Sequence, residues 1–308
     1  MESDVVILGV FVADTAYLAP QLPVIGQTLL GSGFALGPGG KGSNQAVAAA
    51  MAGAKTTFIS KIGRDAFGEI ALRTYEKAGV CTRIVQMDDV PTGAAFIYVS
   101  TETGDNAIIV YPGAAGTISR EDVEDARDAI ENARVFVTQL EQPVEAAETA
   151  LRIARGAGVV TIFNPAPAEI FPDVIYSLCD YIVPNETEAA ALVGFELLSI
   201  DAVQRAGDIL IGRGAKSALI TLGDRGVVFN DGESSTHIPV ISNGPAVDTT
   251  GAGDAFLGGF AAALAGGMKE IQAVRFGCAA AGIAVTRRGT AGAMPKRSEI
   301  CELLAKVT

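Results

Sequence analysis

Asp248-Thr-Thr-Gly-Ala-Gly-Asp-Ala-Phe256 is a turn that runs into a helix, because the small apolar run from Phe256 to Leu264 follows it directly. Gly251, Ala252 and Gly253 allow the backbone to approach a ligand closely. The first N–H groups of a helix lack intrahelical partners and lie at the positive end of its dipole, so this start is expected to face an anion. Asp254 adds a carboxylate at the same place, and the stretch reads as an anion site with a base beside it. The plainer alternative is a glycine-rich turn capped by an aspartate. The rest of the chain decides between them.

The 308 residues are 49% hydrophobic, enough for a full core in one large domain or in a large domain with a small one. Lys and Arg number 23 against 35 Asp and Glu, a net charge of -12, and no basic run is interleaved with aromatics. Counterion release therefore lacks its cations, and neither nucleic acid nor an anionic membrane is an expected partner. A negative chain with a negative substrate must neutralise it locally, through helix N-termini, a divalent cation and one or two placed lysines or arginines. Cys81, Cys179, Cys278 and Cys301 show no short spacing, which argues against a zinc cluster or a disulfide framework and fits a reducing cytoplasm. Met1 to Val12 has an acidic start and a short apolar run, so it reads as neither a signal peptide nor a spanning helix.

Val5 to Val10 is an apolar, β-branched run suited to a buried parallel strand, and Asp14 follows just past its end. Ligands gather beyond the carboxyl ends of strands in open α/β sheets, which makes Asp14 a candidate contact. Ala95 to Ser100 and Ala107 to Tyr111 read as a hairpin about Glu102 to Asn106, and Thr28 to Leu36 as a glycine-broken strand. Together, residues of about 14–37 and 91–113 form a small β layer set into an α/β chain, a lid. From Thr117 strands and helices alternate: Ser119 caps an acidic helix, and strands are expected over Arg134 to Leu140, Val159 to Phe163, Asp180 to Val183 and Ser217 to Leu222. That is βαβ repetition, with a parallel sheet and helices on both faces. Glu141, Asn164 and Asn185 each fall just past a strand end. A hairpin turns at Asp231-Gly232, and the final third is helical, with Arg287 to Thr290 as a loop.

Gly37-Pro-Gly-Gly-Lys-Gly-Ser-Asn-Gln-Ala leads into an alanine-rich helix over Ala46 to Ala52. Its glycine spacing matches the dinucleotide fingerprint, but the preceding strand belongs to the lid and no acid stands about 20 residues on. A Walker A loop fails too, since Ala35 takes the first glycine position and Gly42 stands where Ser or Thr is needed. The single histidine, His237, lies in a hairpin strand, so a carboxylate base is the better reading than a histidine triad. Glycine loops, a helix N-terminus and a carboxylate suit phosphoryl transfer, where the protein mainly positions reactants and stabilises charge.

Gly39-Gly-Lys-Gly-Ser-Asn44, with Ala46, Gly53 and Gly63 at their offsets, resembles the first signature of the ribokinase (pfkB-type carbohydrate kinase) family, and Asp248 to Gly259 resembles the second. Gly63-Arg-Asp65, Asn185-Glu-Thr-Glu188 and Thr221-Leu-Gly223 lie between them, so the resemblance covers essentially the whole chain. It implies one domain over residues 1–308, a three-layer α/β/α fold with a largely parallel sheet and a small β-sheet lid. It implies ATP-dependent phosphorylation of a sugar hydroxyl, with Asp254 as the base and Gly251, Ala252 and Gly253 as the anion hole. Asp14, Gly40, Lys41, Asn44 and Glu141 would bind the sugar. Asn185, Thr221, Leu222, Gly223, Asp224, Arg225, Gly226, Gly253 and Cys278 would contact ATP. Glu188 would help hold Mg²⁺ through water. Asp248, Thr250, Ala284, Arg287, Gly289 and Ala293 match the family's loop for a monovalent cation, K⁺, as activator. A homodimer through the lid is implied as well.

Three positions depart from the family pattern. Val12 stands where ribose-phosphorylating members usually carry an Asn, Cys278 where a His or Asn flanks the adenine, and Ala293 where a Ser often helps the cation. Ribose is the implied substrate, and Val12 keeps another pentose, a ketohexose or a nucleoside open. A non-catalytic sugar or nucleotide sensor on the same fold is disfavoured by the presence of Asp254, the glycines beside it and Lys41.

Overall fold

The computed structural model describes residues 3–307. The ends of the expected single-domain span, Met1, Glu2 and Thr308, lie outside them. The strands in chain order are β1 (Val5–Leu8), β2 (Val12–Ala19), β3 (Gly33–Gly39), β4 (Thr56–Gly63), β5 (Cys81–Met87), β6 (Thr92–Ser100), β7 (Asn106–Gly113), β8 (Val135–Thr138), β9 (Val160–Phe163), β10 (Tyr181–Ile182), β11 (Ser217–Thr221), β12 (Val227–Asn230) and β13 (Ser235–Ile238). The helices are α1 (Lys41–Met51), α2 (Ala66–Ala78), α3 (Arg120–Asp125), α4 (Arg127–Glu131), α5 (Val144–Gly156), α6 (Val174–Ser177), α7 (Glu186–Val193), α8 (Ile200–Gly212), α9 (Ala252–Ala265), α10 (Glu270–Ala284) and α11 (Arg297–Lys306).

Nine strands form the main sheet in the order β13-β12-β11-β10-β9-β8-β1-β4-β5, with parallel pairing from β5 to β11 and an antiparallel hairpin at the far edge. Every residue of β1 is buried, as a strand covered on both faces requires. Its alternate side chains enter two separate cores. Val5 and Ile7 pack with Ala46 of α1, Phe260 of α9 and Ala280 of α10, whereas Val6 and Leu8 pack with Leu151 of α5 and Val203 of α8. Helices on both faces give the expected three layers.

The lid is a second, four-stranded sheet in the order β3-β2-β6-β7. Here the sequence reading needs correcting. Val12 to Ala19 is strand β2, so Asp14 lies within a lid strand rather than in a turn beyond β1, and the lid begins at Val12 rather than near residue 14. β2 pairs with β3 and, in parallel, with the distant β6, and only β2's first two residues and Ala19 are buried, so no local apolar run announces it. The glycine-broken strand starts at Gly33 rather than Thr28 and extends to Gly39. The stretch between Ala52 and Pro91, left without elements above, is the unit β4-α2-β5.

Asp65 ties the lid to the main domain. One carboxylate oxygen caps α2 by accepting from the Gly68 N–H at 2.8 Å, and the other accepts from the N–H of Thr92, the first residue of β6, at 2.7 Å. Thr92 Oγ1 in turn accepts from the Gly63 N–H at 2.8 Å, so the end of β4 and the start of β6 are held together.

α1 begins at Lys41, not at Ala46. Gly40 caps it with φ 90°, and a side chain there would lie 2.5 Å from the Val10 carbonyl oxygen. Only glycine combines that conformation with that closeness. α1 and α9 also touch backbone to backbone: a Cβ on Gly258 would lie 2.4 Å from Ala48 Cβ and 2.7 Å from both Ala49 N and Gln45 O. Gly258→Ala is therefore expected to destabilise by about 1–3 kcal/mol through overpacking. Gly156→Ala, where a Cβ meets nothing within 4 Å, is expected to stabilise by about 0.4–1 kcal/mol. Urea denaturation of both variants checks the opposite signs; a Gly258→Ala protein as stable as the wild type would refute the contact.

Candidate active site

Asp254 sits in the first turn of α9 and is 8% exposed. An ionised carboxylate at that depth needs donors, and α1 supplies them. Asn44 Nδ2 donates to Oδ2 and Gln45 Nε2 to Oδ1, each at 3.0 Å. Burial raises the Asp254 pKa, while the Lys41 charge and the two amides oppose the rise; burial prevails. Gln45 is itself held, since its Oε1 accepts from Gln139 Nε2 at 2.6 Å and its Nε2 also reaches Asn164 Oδ1 at 3.4 Å.

Around this carboxylate stand Lys41, Glu141, Asp14 and Glu188. The Lys41 N–H donates to Glu141 Oε2 at 2.7 Å, tying the start of α1 to the loop beyond β8. Burial pushes Glu141 up to about 7; Lys41 opposes the rise, and Asp254 and Asp14 add to it. Asp14 is pushed up to about 6, by burial first and then by Asp254. Burial alone would lower Lys41, yet Asp254, Glu141 and Glu188 hold it above its ordinary value. Glu188 is raised by burial against the Asn185 N–H and the Lys41 charge. One lysine thus serves three carboxylates.

Strand alternation places Val12 and Asp14 on one face of the lid sheet. Their direct neighbours across the sheet are Gly39 and Gly37 on β3 and Gly93 and Ala95 on β6. These small residues leave that face open beside the Asp14 carboxylate. A Cβ on Gly39 would fall 2.3 Å from both Asp14 carboxylate oxygens, so a side chain there would displace the Asp14 carboxylate.

A cleft of about 650 Å³ adjoins this group and has Lys41 and Asp254 in its wall. Asn185, Thr221, Leu222, Gly223, Asp224 and Gly226 line one side; Gly251, Ala252 and Gly253 line the end at α9; Phe256, Cys278, Ala281 and Val285 give an apolar wall. Arg225 is the exception among the residues expected there. Its guanidinium pairs with Glu186 at 2.6 Å and does not line the cleft, and its carbonyl accepts from His237 Nε2 at 2.7 Å. A smaller pocket of about 50 Å³ is lined by Asn164, Asn185 and Glu188 together with Lys41 and Asp254.

The turn before α9 also differs in detail from the expected anion hole. The Ala252 N–H donates to the Thr249 carbonyl at 3.2 Å, which leaves the N–H groups of Gly251, Gly253 and Asp254 without an acceptor among the described residues. Asn185 caps α7 reciprocally with Glu188: Asn185 Oδ1 accepts from the Glu188 N–H and Glu188 Oε2 from the Asn185 N–H, both at 2.8 Å. Glu188 Oε1 remains for a ligand. Among the described residues no three His, Cys, Asp or Glu side chains cluster closely enough to cage a metal. Mg²⁺ does not require such a cage, since it is commonly held by one carboxylate, waters and substrate phosphates, and Glu188 fits that mode.

Asp248 knits the neighbouring loop together. Its Oδ1 accepts from the Thr250 N–H and its Oδ2 from the Gly289 N–H, each at 2.9 Å. Burial would raise its pKa, but these N–H groups and Arg288 hold it below the usual carboxylate range. The Arg287 N–H donates to the Ala284 carbonyl, and its guanidinium reaches the Ala293 carbonyl and Glu299. The six residues expected to share a cation loop are therefore neighbours, although the Ala284 and Ala293 carbonyls already accept within it. Thr290 Oγ1 donates to the Pro38 carbonyl at 2.7 Å, joining this loop to the glycines before α1.

Gln45 and Gln139 escaped the sequence reading, and Asn164 entered it only as a polar residue past a strand end. The available signal was position: Gln45 adjoins Asn44 in the glycine motif, and Gln139 follows β8 as Asn164 follows β9.

The profile of pfkB family carbohydrate kinases matches residues 2–297. The chain is 38% identical to a ribokinase from Haemophilus influenzae over 305 residues, covering 99% of each. It is 32% identical to a deoxyribokinase from Salmonella typhi, covering 98% of this chain and 99% of that one. Among solved structures, Arabidopsis thaliana ribokinase complexed with ribose and ATP superposes with a TM-score of 0.92 at 29% identity, covering 99% of both chains.

The raised carboxyls have a consequence for the unliganded protein. Glu141, ordinarily near 4.5, titrates near 7 when folded, so its contribution to stability is fully present below about 4.5 and is lost as pH rises through about 7. Asp14 acts likewise through about 6. The melting temperature is expected to fall between about pH 4 and pH 7. Glu141→Gln keeps an oxygen for the Lys41 N–H and should flatten that fall, as thermal melts across the range will show; an unchanged slope would mean that Glu141 does not titrate there.

Proposed function

We infer the reaction from one premise: the chain belongs to the pfkB family of carbohydrate kinases. It is an ATP-dependent sugar kinase, and the proposed sugar is ribose, phosphorylated at its 5-hydroxyl. The observation that carries this reading is the position of Asp254. The carboxylate stands at the N-terminus of α9, in the wall of the large cleft, in the same cluster as the Asp14 side of the lid.

ATP takes the cleft, with its base against the apolar wall that includes Cys278 and its phosphates toward the N–H groups of Gly251 and Gly253. The sugar lies between Asp14 on β2 and the start of α1, with its hydroxyls on Asp14, Lys41, Asn44 and Glu141. Asn44 Oδ1, buried with no partner among the described residues, is an acceptor suited to a hydroxyl. The attacking hydroxyl gives its proton to Asp254 as its oxygen bonds to the γ-phosphorus, and the bond to the β-phosphate oxygen breaks to release ADP. Helix N–H groups stabilise the charge that builds on the transferred phosphoryl group. Mg²⁺, when bound near Glu188, supplies charge neutralisation between the phosphates. Lys41 holds a positive charge beside the reacting groups in an otherwise acidic chain.

K⁺ as activator is supported by the Asp248 loop, which adjoins the α9 turn; the check is turnover in K⁺ against Na⁺ at fixed ionic strength. Pairing through the lid is supported by exposed Tyr17, Phe34, Leu36, Phe96 and Ile109, which strand register places on the face opposite Asp14. Sedimentation of Ile109→Glu beside the wild type tests it. Among the described residues no helix is long and apolar enough to cross a membrane, and the cysteines are free, in keeping with a cytoplasmic setting.

Asp254→Asn should lower turnover by about 10²–10⁴, the range for loss of a positioned base, with nucleotide binding retained in direct titration. Near-normal turnover would remove Asp254 from that role.

Val12 governs the finer choice of sugar. It is 4% exposed and shares its lid face with Asp14, so it offers methyl groups where an amide would bond a hydroxyl. An unpaired buried hydroxyl costs about 1–3 kcal/mol, or roughly 5- to 150-fold in kcat/KM. 2-Deoxyribose should therefore compete well with ribose, and Val12→Asn should shift preference toward ribose by a factor in that range. A wild type already strongly selective for ribose, with no gain from the asparagine, would show that Val12 does not set specificity.

A further inference from the structure

Gln45 makes more contacts than a helix side chain needs for burial alone. Its amide nitrogen donates to Asp254 Oδ1 at 3.0 Å and to Asn164 Oδ1 at 3.4 Å, while its Oε1 accepts from Gln139 Nε2 at 2.6 Å. The direction of this chain is set at both ends by groups that only accept. Asn164 Nδ2 donates to the Val183 carbonyl at 2.8 Å, so its oxygen must face Gln45. An ionised Asp254 likewise demands a donor. Gln45 must then present its NH₂ to both and its oxygen to Gln139. Gln139 Oε1 is left buried without a hydrogen-bond partner among the described residues, against Gly9 and Gly42. A buried acceptor without a partner costs stability, so the Gln139 end of the chain is held at a cost while its NH₂ orients Gln45.

We propose that Gln45, oriented by Gln139 and Asn164, is a positioning residue that holds the Asp254 carboxylate ionised and fixed in rotation for proton abstraction. The proposal rests on the reading of Asp254 as the base. With Oδ1 anchored by Gln45, Oδ2 is the oxygen toward Asn44 and the sugar, and it receives the proton. The charged groups around Asp254 are Lys41 on α1, Glu141 beyond β8, Asp14 on β2 and Glu188 on α7. None of these restricts rotation of the carboxylate as a hydrogen bond to Oδ1 does.

The test is the single-turnover rate of Gln45→Leu across pH, with KM for sugar and ATP. The rate should fall about 10- to 100-fold, less than for outright loss of a general base, with both KM values within about threefold of wild type. The acid limb should move to higher pH, because loss of a donor to the charged form raises the carboxyl's pKa. Gln139→Met leaves the Asp254 contact in place and frees only the far end of Gln45, so it should move the same limb by less; it carries the test should Gln45→Leu not fold. In an Asp254→Asn background the Gln45→Leu effect should vanish. An unmoved acid limb in the folded variants, or an equal loss in the Asp254→Asn background, would overturn the proposal. High turnover in Asp254→Asn alone would instead overturn the base assignment.

Discussion

The Asp254 carboxyl lies at a depth where an unpaired charge is costly, and much of the surrounding architecture supplies it with donors. Its donors come from α1 while it belongs to α9, so the two helices must approach very closely. Gly258 makes this possible by leaving its Cα against Ala48, Ala49 and Gln45. Gly42 does the same between α1 and β1, where a Cβ would lie 2.7 Å from Gly9 Cα. The glycines of the two signature stretches thus serve two purposes. Some leave backbone N–H groups of the turn before α9 unpaired, and others let α1 approach both β1's end and α9, whose Asp254 it supplies with donors.

Charge is arranged on the same local principle. A chain with a net charge of -12 does not attract a nucleotide through its overall field, and the site compensates at short range. Lys41 is surrounded by Asp254, Glu141 and Glu188, which keep it protonated despite burial. The helix N-terminus adds dipole without adding a titrating group. The end of the cleft at α9 therefore combines a fixed positive potential with a cluster of acids.

The four-stranded sheet is tied to the main domain at a small number of side-chain anchors. Asp65 joins β6 to the start of α2, and Thr290 joins the end of β3 to the loop organised by Asp248. The first anchor fixes the lid to the parallel sheet, and the second passes through the turn that precedes α9. These two hydrogen bonds, at 2.7 Å each, add directed anchors to the packing of the lid strands on the main domain.

Local patterns determined much of this protein. The apolar runs of β1, β8, β9 and β11, the Ser119 cap, the Asp231-Gly232 hairpin and the α9 start with its acid are all written in neighbouring residues, because strand burial, capping and helix dipoles act over a few positions. Asp254 and Glu141 stood out for the same reason, at a helix start and past a strand end, whereas Lys41 and Asn44 were named only through the family resemblance of the glycine motif. Tertiary structure alone decided the rest. β2 exists because β3 and the remote β6 pair with it, and its sparsely buried side chains carry no period that marks a strand. Arg225 pairs with Glu186 instead of lining the large cleft, a partner that lies far from it in the sequence. Gln45, Gln139 and Asn164 look like ordinary amides in the sequence. They meet only where the ends of β8 and β9 reach α1 and α9, since the orientation of a buried amide is set by acceptors that the fold, not the neighbouring residues, brings to it.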